Sequence, residues 1–286
     1  MLPEIIAILS AMGWAGDSIL VRLGARKSSI FAAMFISFLV SASFTWTYLL
    51  ATTALDFFRS PAMIYFLISG CLQPLFARAL FYEGLTRIGV SRAGPLRGAE
   101  PFFAAAIAVA FLHERPGVAV YSGTILIVAS VWVISGTQRG ESKWRLLDGA
   151  FPLGAGLVSA VSQSLRKQGL NLLPNPFVAT VTVTSTSLVL LSLFLWTTKR
   201  SRVLRMDRGS FFLFLAAASL ATTSQVLNFV ALGQGQLSAI IPLLNTTPLF
   251  ILFFSKLFLR GVERVTLHIV LGAILMVAGV VLITSR

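Results

Sequence analysis

Two stretches decide the fold: Ser91–Arg115, SRAGPLRGAEPFFAAAIAVAFLHER, and Ser238–Arg264, SAIIPLLNTTPLFILFFSKLFLRGVER. Set 147 residues apart, Ser91, Pro95, Leu96, Pro101, Phe103, Phe111 and Leu112 meet Ser238, Pro242, Leu243, Pro248, Phe250, Phe258 and Leu259. After a two-residue insertion in Arg260–Val262, Glu114, Arg115, Gly123 and Ile125 meet Glu263, Arg264, Gly272 and Ile274. Leu and Val match often by chance in an apolar chain. Paired prolines, paired Glu-Arg dipeptides and paired glycines do not. The chain is an internal duplication.

The chain has 286 residues, 56% of them hydrophobic and 12% charged, with a mean hydropathy of +0.87. A soluble domain carries roughly 25% charged residues. So few ionisable groups cannot clothe a water-soluble surface, which argues against a soluble, disordered or nucleic-acid-binding protein. The net charge of +13 fits basic loops at a membrane face instead. Cys71 is the only cysteine, so neither an intrachain disulfide nor a Cys-cluster metal site is expected.

Ten apolar segments follow one another: Leu2–Val21, Ile30–Ala51, Ala62–Glu83, Ser91–Leu112, Val118–Ser135, Leu146–Leu165, Phe177–Thr197, Ser210–Leu232, Leu237–Leu259 and Val265–Thr284. A spanning helix needs about 20 mainly apolar residues, and these segments suit helices better than barrel strands. The first is no signal peptide, since Pro3, Glu4 and Asp17 break the pattern. The expected fold is an all-α integral membrane protein of ten transmembrane helices, in two repeats over residues 1–138 and 139–286. Each repeat has five spans, an odd number, so the second must enter the membrane from the opposite side. Inverted repeats are the architecture of secondary transporters, with the substrate near the midplane between the halves.

A Pro-containing fourth helix ending in FLHER (Phe111–Arg115) or FLRGVER (Phe258–Arg264), a fifth helix with Gly123 or Gly272, and Gly13-Trp14-Ala15 followed by Arg22 carry a family resemblance. Over its whole length the chain resembles the drug/metabolite transporter superfamily, EamA type. The resemblance implies a ten-helix exporter or exchanger of small metabolites in the cytoplasmic membrane, not an enzyme. The second copy departs from the pattern: Gly261 and Val262 are inserted, and its first helix lacks the Gly-Trp pair.

Loops after odd-numbered spans hold 15 Lys and Arg, against 5 on the other side: Arg59, Arg115, Arg166, Lys167 and Arg286. The positive-inside rule for short loops puts both termini outside the cytoplasm, whereas the resemblance implies termini inside. The charge count is followed here.

Ionisable groups inside spans mark functional sites by default. Asp17, Arg78, Arg97 and Glu100 stand inside spans, and Arg97 and Glu100, three apart, lie on one helical face and within pairing distance. Across the repeat Arg78 aligns with Gln225, Glu100 with Thr247 and Asp17 with Ser162. One ionic and one hydrogen-bonding half of a central cavity would produce this pattern, with Gln163, Asn228, Asn245 and Thr246 adding polar groups. In that reading Arg78 and Arg97 meet a carboxylate or phosphate of the substrate. Glu100 or Asp17 binds a driving proton or the substrate's amine. A structural ion pair and polar helix glue are the alternatives. Pro95, Pro101, Pro242 and Pro248 interrupt their helices and free backbone carbonyls, as a cavity-lining bent helix requires. Trp14 and Phe102 are candidate aromatic walls, or face lipid or core. His113 and His268 read as interfacial.

The expected partners are the lipid bilayer and a small polar metabolite such as an amino acid or organic anion. No cofactor is expected beyond a coupling proton. A flippase for a lipid-linked substrate and an integral-membrane transferase are the competing readings; the transferase would need a catalytic cluster at one membrane face.

Overall fold

A computed structural model describes residues 2–52, 55–88, 96–135, 146–199, 201–258 and 267–285, and all regular structure among them is helical. The first two spans are α1 (Leu2–Gly24) and α2 (Ile30–Thr52). The third is α3 (Ala62–Gly70), a wide π-type segment (Cys71–Phe76) and α4 (Ala77–Ile88). The fourth and fifth are α5 (Glu100–Phe111) and α6 (Val118–Ser135). The second repeat gives α7 (Ala150–Leu172), α8 (Pro176–Thr197) and α9 (Arg208–Gln234) as spans six to eight. Helices α10 (Leu237–Leu244) and α11 (Thr247–Phe258) make the ninth, and α12 (Leu267–Thr284) the tenth. Ten helical spans in two groups of five match the expected fold class.

Local sequence explains the ends. Asn175 caps α8 by accepting from the amides of Phe177 and Val178, and Pro176 at the first helical position has no N–H to satisfy. Asp207 caps α9 in the same way, accepting from the Gly209 amide and the Ser210 hydroxyl. Inside α8, the hydroxyls of Thr180, Thr182, Thr184 and Thr186 each donate to the carbonyl four residues back. Such bonds let hydroxyls enter a membrane helix without an outside partner.

Among the described residues, five helical stretches are long and apolar enough to cross a bilayer: Leu2–Gly24, Ile30–Thr52, Ala62–Phe81, Pro176–Thr197 and Arg208–Gln234. Although α7 is 23 residues long, it is not among them. Ser159, Ser162, Gln163, Ser164 and Arg166 along it are all buried. Its polar face is turned into the bundle, while Leu157, Val161 and Leu172 on other faces are exposed.

The packing has two-fold symmetry. Span one lies along span eight, and span six along span three; one meets nine, and six meets four; two meets eight, and seven meets three. Spans two and seven, four and nine, and five and ten pair with their own counterparts on the axis. Side chains repeat the relation: the Phe214 ring fills the place of a Cβ at Gly24, and Phe66 does the same at Gly169. The paired helices run antiparallel, since Ser10 donates to the Ser224 carbonyl at 2.8 Å while Ser210 donates to that of Gly24 at 2.9 Å. Spans five and ten cross where Gly123 and Gly279 meet, and a Cβ on either would stand 2.7 Å from the other's carbonyl oxygen. Removal of side chains is what brings membrane helices this close.

One expectation needs correction. The sixth span was expected to end at Leu165, leaving Arg166 and Lys167 in a loop. Helix α7 continues to Leu172, so both lie within it.

Candidate functional site

The fourth span of each repeat is broken at the same place. Leu96 and Arg97 are helical, Gly98 and Ala99 form a turn, and helix resumes at Glu100; Leu243–Leu244, Asn245–Thr246 and Thr247 follow the same course. Proline supplies the cause. Pro101 and Pro248 lack the N–H that would bond Arg97 and Leu244, and the ring clashes with that carbonyl. Each proline then sits in the first turn of the next helix, where a missing N–H costs nothing. Thr247 donates its hydroxyl to the Leu244 carbonyl at 2.8 Å, the bond Pro248 cannot make. The break therefore falls two residues ahead of the proline. Pro242 lies buried inside α10; Pro95 lies outside the described residues.

Arg97 and Glu100 consequently flank a turn rather than share one helical face. The turn seats on span six, where a Cβ on Gly156 would come within 3.1 Å of the Arg97 carbonyl oxygen and 3.5 Å of the Glu100 amide. The Arg97 guanidinium stacks over Phe81, 5.0 Å from the ring centroid, and reaches the Ser159 hydroxyl at 3.5 Å. Glu100 is buried, at 6% exposure.

A third break lies in span three, with no counterpart in the continuous α9. Gln73 is extended, at φ −136° and ψ 132°, because a residue before proline, here Pro74, is driven out of the helical region. Its carbonyl leaves the helical ladder and accepts from Arg166 Nη2 at 3.4 Å. Arg166 is 3% exposed. It also donates from Nε to the Ser69 hydroxyl at 2.8 Å and from Nη1 to Gln163 Oε1 at 3.2 Å, and it stacks over Phe229 at 5.3 Å. The charges that reach Glu100 are Arg97 and Arg166.

Gly156, Ser159, Gln163 and Arg166 thus form one stripe on α7, facing the breaks in spans three and four. Their spacing of three, four and three is that of a single helical face. That spacing was the signal by which Arg166 was readable in the sequence.

Of the other expected residues, Asp17 and Trp14 are half-buried one turn apart on α1, and Arg78 on α4 is the charge that reaches Asp17. Asn245 and Thr247 use their donors locally: the Asn245 amide donates to the Ile241 carbonyl at 3.0 Å, and Thr247 to Leu244. They brace the broken helix. What the second repeat leaves open is on α9. Gln225 Nε2 and Asn228 Oδ1, together with Gln73 Oε1, are buried without a hydrogen-bond partner among the described residues. Phe102, 44% exposed, lines an open apolar groove between spans four and five with Val109, Tyr121 and Ile125, so it is no wall of the charged cluster.

At one face of the bundle, Lys167 Nζ donates to the carbonyls of Leu232 and Gly235, both at 2.8 Å. Glu114 accepts from the amides of Leu237 and Ser238 and from the Ser238 hydroxyl, at 2.7, 3.1 and 2.7 Å. The turn between spans eight and nine is held at both ends by side chains of the first repeat and of span six.

Two half-bundles related by a two-fold axis, each with its fourth helix broken at the same place and the first break seated beside buried charged side chains, define the class of inverted-repeat membrane transport proteins. A family model describing the EamA-like transporter family matches residues 1–136 and 150–285. The chain belongs to that family. A solved crystal structure superposes with a TM-score of 0.80 over 99% of this chain and 96% of its own, at 13% identity, a likeness of fold alone. No curated protein matches the sequence.

Proposed function

We propose that the chain is a secondary carrier that exports or exchanges a small polar metabolite, an amino acid or organic anion, across the cytoplasmic membrane by alternating access. The observation that carries this reading is the pair of identical breaks in spans four and nine, of which the first seats Arg97 and Glu100 against α7. Discontinuous helices at an inverted-repeat interface are where such carriers hold substrate. Arg78 and Arg97 supply cationic contacts. Asp17 or Glu100 takes the coupling proton or the substrate's amine, and Gln225 contributes the hydrogen-bonding half. Trp14, one turn from Asp17, forms part of the wall, and Asn245 and Thr247 shape the turn opposite.

The test is flux in proteoliposomes carrying Glu100→Gln or Asp17→Asn. Loss of pH-dependent transport in either supports the coupling role; unchanged, still pH-dependent flux in both removes it. The burial of Arg166 and the engagement of Lys167 leave only Arg59, Arg115 and Arg286 of the five basic residues on the poorer side. That widens the bias toward termini outside the cytoplasm. A periplasm-active reporter silent at the C-terminus would reverse the orientation.

A further inference from the structure

Among the described residues, two of the buried side-chain atoms without a hydrogen-bond partner, Gln225 Nε2 and Asn228 Oδ1, sit three residues apart on α9. The others, on Glu4, Ser41 and Gln73, each lie on a different span. Hydroxyls on α9 are provided for: Ser219, Thr222 and Thr223 donate to carbonyls four residues back. The two amides are not. Both belong to the inner face of the helix. On one flank the Ser224 hydroxyl fills the place of a Cβ at Gly13 of α1. On the other, Phe229 stacks under Arg166 of α7 and meets Phe66 of α3 edge-on. At about 100° per residue, Asn228 and Gln225 stand about 40° and 100° round from Ser224, with Phe229 at about 140°. They point between α1 and α7, six and nine residues before Gln234 and so about 9–14 Å below that end of the helix.

The two-fold axis says what they face. At the 147-residue spacing of the repeat, Gln225 and Asn228 meet Arg78 and Phe81, and Phe81 lies against Arg97 at the break in span four. The equivalent place in the second copy is the break at Asn245–Thr246 in span nine. One half of the site thus presents guanidinium groups and the other a pair of carboxamides. A buried amide left unpaired costs stability, and such groups in a folded protein mark a role that pairs them. A carboxamide donates and accepts whichever way it is turned, so its complement is an uncharged group that does both.

We infer that Gln225 and Asn228 form a subsite for an uncharged hydrogen-bonding group of the substrate, a carboxamide or a hydroxyl, on the side of the site opposite Arg97. This rests on the carrier reading above and deepens it, with Asn228 as a further specificity-determining residue. Substrates of the same shape with an apolar group in that place leave both amides unpaired and are rejected.

The experiment uses pairs of nearly equal shape in counterflow with the full chain in proteoliposomes: asparagine against leucine for the carboxamide, threonine against valine and malate against methylsuccinate for the hydroxyl. Thermal stabilisation of the detergent-solubilised protein by the same compounds is the parallel readout. In the wild type the polar member of at least one pair is favoured by about 10-fold, the order expected for one or two neutral hydrogen bonds. Asn228→Leu and Gln225→Met keep the volume of each side chain and abolish the preference. Neither lowers the melting temperature of the unliganded protein, because each removes an unpaired amide and no bond.

No advantage of the polar member in any pair, or a preference that survives both substitutions, overturns the inference while the carrier reading stands. A melting temperature lowered by both substitutions does the same, since the amides would then be bridging helices. No exchange and no stabilisation by any member of the panel overturns both readings.

Discussion

Replacing Glu114 by alanine removes the cap of a helix whose first residue lies 123 positions further along the chain. The residue before α10, Gln236, provides no side-chain cap, so the amides of Leu237 and Ser238 depend on Glu114. Hydrogen bonds to a charged group are worth roughly 1.5–3 kcal/mol each, and loss of an N-cap costs about 0.5–2 kcal/mol. The three contacts share one carboxylate and lie near the membrane face, where water re-solvates part of what is lost. The expected cost of Glu114→Ala is therefore about 2–3 kcal/mol, and that of Glu114→Gln, which keeps one acceptor oxygen, about half as much. Lys167, on the other end of the same turn, is coupled to it, so the double substitution with Lys167→Met should cost measurably less than the two single effects combined. The assay is reversible unfolding of the detergent-solubilised protein followed by tryptophan fluorescence. A Glu114→Ala protein within 0.5 kcal/mol of wild type, or strict additivity with Lys167→Met, would refute the reasoning.

Two further outcomes follow from the packing and the loop electrostatics. Gly279→Leu should separate spans five and ten, because even a Cβ there meets the Gly123 carbonyl oxygen at 2.7 Å and the Ile127 amide nitrogen at 3.2 Å, both backbone atoms that cannot swing aside; the yield of monodisperse protein should fall, and a wild-type yield would contradict the crossing. Asp207 precedes α9, and the bond from the Ser210 hydroxyl holds its carboxyl below the usual carboxylate range. A depressed folded-state value means that its stabilising effect is present above about pH 4 and fades as pH falls through the folded value. Asp207→Asn should thus cost stability at pH 7 and less at pH 3; an equal cost at both would show that charge has no part in the cap.

The duplication was legible because proline, glycine and Glu-Arg pairs are rare enough in a membrane chain for their recurrence to carry information. Five spans per copy then required inversion, and the pairing of Gly24 with Phe214 and Gly169 with Phe66 is its three-dimensional form. Pro101 and Pro248 signalled broken helices, although the turn lies two residues ahead of each, just after the Arg97 or Leu244 carbonyl that loses its partner. The Gln73-Pro74 pair carried the same signal in span three, but without a counterpart in the second copy it did not stand out.

Sequence by itself determined the class of protein, because hydropathy, helical length and the chemistry of proline act within a few residues of one another. The end of the sixth span was different. Arg166 and Lys167 read as a loop, since two adjacent cations ordinarily belong in water, and the helical spacing back to Gly156 was too faint a signal to outweigh that. Only tertiary structure could turn them inward, through acceptors on Ser69, Gln73 and Leu232 that lie 65 to 97 residues away. A buried charge is tolerated according to the partners that surround it, and those partners are fixed by packing.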